Sequence, residues 1–186
     1  TNLNHLLQQG HWTPIEEFGT ETGWHFAVQP DNGVKIFFKH TYQDILYWDL
    51  FGEHNHMNAL AALLAARHAG IPIQIGIEAL MRFKSVKRRM EKRGSINGIT
   101  LHDDFAHHPT AIRETLLGTQ QKYPDRRIVA IFEPRSWTTR KKVFQKVYPQ
   151  SFAPADYVVI APLFESFRVA AEEQLSVDEL IEDLRS

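Results

Sequence analysis

The chain has 186 residues, with 21 Lys+Arg against 22 Asp+Glu and a formal net charge of −1, so it lacks the basic excess that general nucleic-acid binding draws on. It holds no cysteine, which excludes a disulfide framework and any Cys-ligated zinc or iron–sulfur centre, and no apolar run approaches the ~20 residues of a membrane span. The opening TNLNHLLQQGHW lacks the basic and apolar regions of a secretory leader, and with no initiator Met the chain reads as a piece of a longer one.

Trp24 to Gln29 and Val34 to Lys39 are β-prone runs flanking Pro30-Asp31-Asn32-Gly33. Asn-Gly supplies the positive φ of a tight turn, so these runs predict a hairpin. Asp44 to Leu50 is a third candidate strand. After Gly52-Glu53-His54 the chain turns Ala- and Leu-rich from about Asn55 to Ala69. Met57, Leu60, Ala61 and Leu64 fall on one face at helical spacing, and Gly70 with Pro72 ends the helix. A short helix is expected over Ile75 to Phe83, and a domain boundary at about 71–78. A basic segment follows, Arg82 to Arg93, with one acid, Glu91.

Three further strands are expected: Ile96 to His102, Arg127 to Phe132 and Tyr157 to Ala161. The last two are continuous apolar runs, the pattern of strands covered on both faces. Helical patterns at about Pro109 to Tyr123 and Thr139 to Ser151 separate them. A last helix, Val177 to Leu184, has Ser176 as N-cap and Glu179 three residues on, a capping box. The stretch from Glu165 onward is acidic and reads as a solvated face. Alternating strands and helices predict an α/β domain with a parallel-rich, Rossmann-like sheet. A partial domain of strands plus one helix precedes it.

Four clusters carry candidate chemistry. In Gly52-Glu53-His54-Asn55-His56-Met57-Asn58, the amides of Asn55 and Asn58 lie on one side of a first helical turn, and each offers a donor and an acceptor suited to a base edge. A plain helix cap at Asn55 is the simpler alternative. His102-Asp103-Asp104-Phe105-Ala106-His107-His108-Pro109-Thr110 sits past a strand end and opens a helix, where ligands of open α/β sheets gather. A carboxylate there can accept from a ribose diol, and the helix start with two imidazoles can face an anion; an Asx turn is the alternative. In Glu133-Pro134-Arg135-Ser136-Trp137-Thr138-Thr139-Arg140, the two arginines can clamp carboxylates or stand as solvated loop residues. Lys87-Arg88-Arg89 can reach phosphates or remain a solvated face. No G-x-x-x-x-G-K-[ST] phosphate loop, G-x-S-x-G or H-E-x-x-H occurs in these residues.

Together the motifs resemble the Mur ligases. G-E-H-N-H-M-N-A-L-A-A followed by Gly70-Ile71 is similar to the end of their central ATPase domain, and D-D-F-A-H-H-P-T-A-I to the start of their C-terminal domain. The muramate–alanine ligases have a similar D-D-Y-x-H-H-P-T. The Phe-Ala form, with Glu133-Pro134-Arg135-Ser136, looks more like the murein peptide ligases. The resemblance implies that 1–72 is the end of a central ATPase domain and 73–186 a C-terminal domain. Three such domains need about 450 residues at ~150 each, so the UDP-muramate domain and the P-loop lie outside this chain.

By resemblance, the activity is ATP-dependent ligation of UDP-N-acetylmuramate to L-alanyl-γ-D-glutamyl-meso-diaminopimelate through an acyl phosphate, a cytoplasmic step of peptidoglycan recycling that uses ATP and Mg2+. No nucleic-acid or membrane partner is implied, and this fragment alone is expected to be inactive. By the same resemblance, His54, Asn55, Asn58, Arg89 and Asp104 would contact ATP. His107, His108, Arg135, Ser136 and Arg140 are assigned to the substrate side, and no catalytic side chain or metal ligand is assigned. The alternatives are a muramate–alanine ligase fragment, a metal-dependent hydrolase built from the His/Asp clusters, and a non-catalytic docking module.

Overall fold

The structure is a computed structural model that describes residues 2–185, with side chains from residue 5 onward. It divides into two compact units, Thr1–Trp48 with His56–Phe83, and Asp49–Asn55 with Lys84–Ser186.

The first unit begins with α1 (Asn2–Gln8). β1 (Trp24–Val28), β2 (Val34–Phe38) and β3 (Thr41–Leu46) then form an antiparallel meander. The predicted β1–β2 hairpin is present, but its two turn residues divide the work. Asn32 carries the positive φ of 64°. Gly33 is required for space, since an added Cβ would stand 2.7 Å from Ile45 Cδ1 and 2.9 Å from the Tyr47 ring. Asp31 locks the turn, accepting from Gly33 N–H at 3.0 Å and from the Tyr47 hydroxyl at 2.9 Å. The third strand starts three residues earlier than the aromatic run suggests and ends at Leu46.

α2 (Glu53–His68) buries His56, Ala59, Leu60 and Leu63. This is the predicted i, i+3, i+4, i+7 spacing, moved back one residue. Met57 and Leu64 pack at the margin of the core, and Ala61 is exposed. The cause is His56, whose ring packs against Phe26 and Trp48 at 5.0 and 6.4 Å. Gly70 (φ +89°) closes α2: its N–H reaches Arg67 O and that of Ile71 reaches Ala66 O, a Schellman motif. α3 (Ile73–Met81) follows directly and buries Ile73 and Ile77 in the same core. The stretch 71–78 lies within this unit, which the chain leaves between Phe83 and Lys84.

The second unit holds β4 (Glu91–Ile96) and β5 (Ile99–Asp103), an antiparallel hairpin. One strand over 96–102 is expected from the sequence; instead Asn97 (φ +49°) and Gly98 (φ +79°) turn the chain back inside that run. α4 (Pro109–Lys122) leads to β6 (Val129–Phe132), which pairs in parallel with β7 (Tyr157–Ile160). The helix expected over 139–151 is broken into a 3-10 turn at Lys142–Phe144 and the short α5 (Tyr148–Ser151). Pro149 explains the break, since it is tolerated only in a helix's first turn, so α5 must start beside it. After 3-10 turns at Ser166–Arg168 and Ala171–Glu173, α6 (Val177–Arg185) opens with the predicted cap, Glu179 N–H donating to Ser176 Oγ at 3.3 Å.

Ile112, Leu116, Ile128, Phe132, Tyr148, Phe152, Leu175 and Leu180 form this unit's core. The β6–β7 pair buries only one face there. Ile131 is 71% exposed, and Val129, Tyr157 and Val159 at least half exposed, so two-sided cover does not hold among the described residues. The architecture is α/β, with one parallel pair and antiparallel strands beside it.

Candidate functional site

The turn into α2 is shaped by two glycines. Gly52 takes φ +87°, and an added Cβ there would lie 2.9 Å from His54 Cε1. Gly118, inside α4, faces the same turn: a Cβ on it would stand 3.1 Å from Gly52 Cα. This close approach fixes the 51–55 segment against α4 in the second unit. Asn55 uses its side-chain Nδ2 to donate to Phe51 O at 2.7 Å, a local tie across the turn. Asn58 lies one turn further along α2 and is exposed.

His54 is half-buried, and its Nδ1 has no hydrogen-bond partner. Burial pushes its pKa below 6.5; the charges of Glu114 and Asp104 pull it back up, and Arg89 adds to the lowering. His54, Asp104 and Arg89, from three separate stretches, thus share one electrostatic neighbourhood. Glu114 on α4 belongs to it too and is missed by the sequence reading.

Past β5, Asp104 is the most constrained of the predicted residues. Its Oδ1 accepts from Ala106 N–H at 2.7 Å, an Asx turn, and its Oδ2 from Met90 N–H at 2.8 Å. Asp103 points instead to Arg93, at 3.5 Å from Nη2. The adjacent histidines hold opposite tautomers. His107 Nδ1 donates to Phe105 O at 2.9 Å, leaving Nε2 as its other nitrogen. His108 Nδ1 accepts from Thr110 N–H at 3.3 Å as the N-cap of α4, so its proton sits on Nε2. Tyr148, fully buried, donates its hydroxyl to His107 O at 3.1 Å and fixes this corner; burial raises its own pKa.

The Glu133–Arg140 loop separates its arginines. Arg135 is exposed, stacked 4.3 Å over the Phe164 ring and 3.8 Å from Glu133. Ser136 Oγ donates to Thr139 Oγ1 at 3.1 Å and accepts Thr139 N–H at 3.2 Å. Arg140 is only 6% exposed, its Nη1 donating to Phe164 O and Glu165 O at 3.3 and 3.2 Å. It holds the 164–165 corner and is not free to meet a substrate carboxylate, against the expectation from the sequence. A cavity of about 640 Å3 in the first unit, lined by Leu7, His11, Ile15 and Phe38 among others, contains none of the predicted residues. Among the described residues no three His, Asp or Glu side chains are grouped to hold a metal. The hydrolase alternative therefore finds no ligand set there.

The family model for the Mur ligase glutamate ligase domain matches residues 88–185, more than half of the chain. The chain belongs to the Mur ligase family. An Escherichia coli relative, a UDP-N-acetylmuramate–L-alanyl-γ-D-glutamyl-meso-2,6-diaminoheptandioate ligase, is 37% identical over 82% of this chain and 32% of its own. A UDP-N-acetylmuramate–L-alanine ligase of Desulfitobacterium hafniense is 42% identical over 69% of this chain and 28% of its own. The crystal structure of a murein peptide ligase from Psychrobacter arcticus superposes with a TM-score of 0.64 at 32% identity, covering 98% of this chain and 38% of that one. The UDP-N-acetylmuramate–alanine ligase of Thermotoga maritima shares the fold, with a TM-score of 0.68 over 90% of this chain and 36% of its own at 22% identity. This Mur ligase chain thus spans about a third of the length of the relatives it matches. None of its described helices is long and apolar enough to cross a membrane.

Proposed function

We propose that this chain is the carboxyl-side part of an ATP-dependent ligase that joins the carboxylate of UDP-N-acetylmuramate to the amine of L-alanyl-γ-D-glutamyl-meso-diaminopimelate in the cytoplasm. The first unit, which runs to Phe83 and includes α3, would be the end of the central ATPase domain, and 84–186 the C-terminal domain. The observation that carries the reading is the bond of Asp104 to Met90 N–H, next to Arg89, at 2.8 Å, within the D-D-F-A-H-H-P motif of a Mur ligase and with its G-E-H-N motif in the same chain. The exposed Arg89 guanidinium fits a nucleotide's phosphates. Asn55 and Asn58 would read the base, and Asp104 would serve the nucleotide side. A bound Mg2+ would neutralise phosphate charge and would take its ligands from outside the described residues.

On the other side, His107, His108, Arg135 and Ser136 would position the peptide. Little covalent chemistry falls to such side chains; orientation and charge stabilisation of the acyl phosphate and the tetrahedral intermediate dominate. The tripeptide is favoured over L-alanine by Arg135 of Glu133-Pro134-Arg135-Ser136, an exposed cation whose 3.8 Å pairing with Glu133 a second substrate carboxylate could replace. The 98% coverage by the murein peptide ligase structure supports the same choice.

The complete gene product, purified and given ATP, Mg2+ and UDP-N-acetylmuramate, should form product with the tripeptide and not with L-alanine. Product with alanine alone would make it a muramate–alanine ligase, and no ligation with either would overturn the reading. The 186-residue chain by itself should give no product, since it carries no loop to cradle the γ-phosphate.

A further inference from the structure

The turn that carries Arg89 is strained and held from one side. Arg88 (φ +57°) and Met90 (φ +48°), neither of them glycine, both take left-handed backbone conformations, with Arg89 between them. Side chains rarely accept that geometry unless neighbours impose it, and here the neighbours come from the residues around the end of β5. Phe105 N–H donates to Arg88 O at 2.8 Å, His102 Nδ1 lies 3.2 Å from Met90 O, and Asp104 Oδ2 takes Met90 N–H at 2.8 Å. Glu91 caps the other side, accepting Arg88 N–H at 3.0 Å. The remaining oxygen of Asp104 is committed to Ala106 N–H. Both carboxylate oxygens thus face backbone donors, one on each side of the gap between the basic turn and the motif.

We infer that Asp104 is a positioning residue: its carboxylate pins the left-handed 88–90 turn to the end of β5 and so presents the Arg89 guanidinium to the phosphates of a bound nucleotide. This rests on the nucleotide reading above and changes the route by which Asp104 serves it. A carboxylate that only bound ribose hydroxyls would act independently of Arg89, whereas one that holds the turn acts through it. The geometry also explains why Asp103, one residue earlier, is no substitute. Its Oδ2 meets guanidinium groups, Arg93 Nη2 at 3.5 Å and Arg88 Nε at 4.0 Å, and it is Asp104 that takes Met90 N–H.

The test is a double-mutant cycle on ATP affinity, measured by equilibrium titration of the complete gene product with Asp104→Asn and Arg89→Ala. Asparagine has one acceptor oxygen in place of two, so it can no longer bridge Ala106 N–H and Met90 N–H together. Asp104→Asn should weaken ATP binding about tenfold when Arg89 is present and less than about twofold when it is alanine. Met90→Gly, which adopts positive φ freely, should restore most of the affinity lost in Asp104→Asn, and thermal unfolding checks that each variant is folded. If Asp104→Asn fails to fold, Asp104→Ser measured with and without Met90→Gly gives the same comparison. Equal losses with and without Arg89, or no rescue by Met90→Gly, would overturn the inference while leaving the nucleotide reading in place. Failure of the parent protein to bind ATP would overturn both.

Discussion

Replacing Gly118 by Ala sets two effects of known size against each other. Inside α4, alanine is a better helix residue than glycine by about 1 kcal/mol. Against this, the new Cβ would stand 3.1 Å from Gly52 Cα and 3.4 Å from Phe51 Cδ2, inside the ~3.5–4.0 Å optimum for carbon pairs. The closest neighbour is backbone, so no side chain can swing away. The His54 ring crowds the same place: a Cβ on Gly52 would meet both His54 Cε1 at 2.9 Å and Gly118 Cα at 3.5 Å. Relief requires the 51–54 turn to move off α4, and overpacking of this kind costs about 1–3 kcal/mol. The expected net is a loss of about 1 kcal/mol, or roughly 2–4 °C in Tm for a chain of this size. The displaced turn should also shift the NMR signals of His54 and Asn55. Urea and thermal unfolding of the chain measure the first effect, and heteronuclear spectra the second. Gly94→Ala, where an added Cβ meets nothing within 4 Å, is the control. A Gly118→Ala variant that gains about 1 kcal/mol, with the His54 signals unmoved, would refute the idea that this approach fixes the site.

Two other outcomes are expected. Because burial depresses the His54 pKa, the neutral ring is the folded form; its contribution to stability is whole above pH 6.5 and is lost as pH falls through 6.5 toward the lower folded value. An NMR titration, with the resonance assigned through His54→Gln, should give an inflection below 6.5 that moves up in Arg89→Ala; an inflection at or above 6.5 in the parent would contradict the burial. The two arginines of the Glu133–Arg140 loop should separate cleanly. Arg140→Ala should cost about 1.5–3 kcal/mol of stability, because its charged hydrogen bonds to Phe164 O and Glu165 O are lost. Arg135→Ala should cost less than about 1 kcal/mol, the scale of an exposed cation–π contact, while raising KM for the tripeptide and leaving that for ATP alone. Equal stability losses for both, or a peptide effect confined to Arg140, would reverse the assignment.

Some of this architecture was legible because the determining contacts are local. Asn32-Gly33 announces its hairpin and Ser176…Glu179 its cap, within a few residues of chain. The same dipeptide at Asn97-Gly98 was hidden, since Ile96, Ile99 and Leu101 on either side read as one apolar run. The face of α2 was off by one residue for a different reason. Seven of its residues from Met57 to Leu64 are Ala, Leu or Met, so the helix is apolar over most of its circumference and its own sequence barely chooses a side. The choice is made by His56 fitting against Phe26, a ring of β1 thirty residues earlier, and Trp48, just past β3. For β6 and β7, an unbroken apolar run told of burial but not of how many faces are covered.

At the site, residue types were readable and their commitments were not. Asp104, Arg135 and Arg140 were selected as a carboxylate and two guanidiniums past strand ends, which is sound chemistry for binding nucleotides and peptide carboxylates. Whether such a group is available depends on what already occupies it. Asp104 is held by Met90, 14 residues away, and Arg140 by carbonyls 24 and 25 residues on. Those partners are backbone atoms, which carry no residue signature, so no motif could have revealed them. Arg135 stays exposed with its guanidinium over the Phe164 ring, while Pro134 before it is buried. One loop therefore offers one arginine to solvent and turns the other inward to hold the 164–165 corner. That division leaves Arg135 as the loop's candidate for a peptide carboxylate, with Arg140 serving the shape of the loop that presents it.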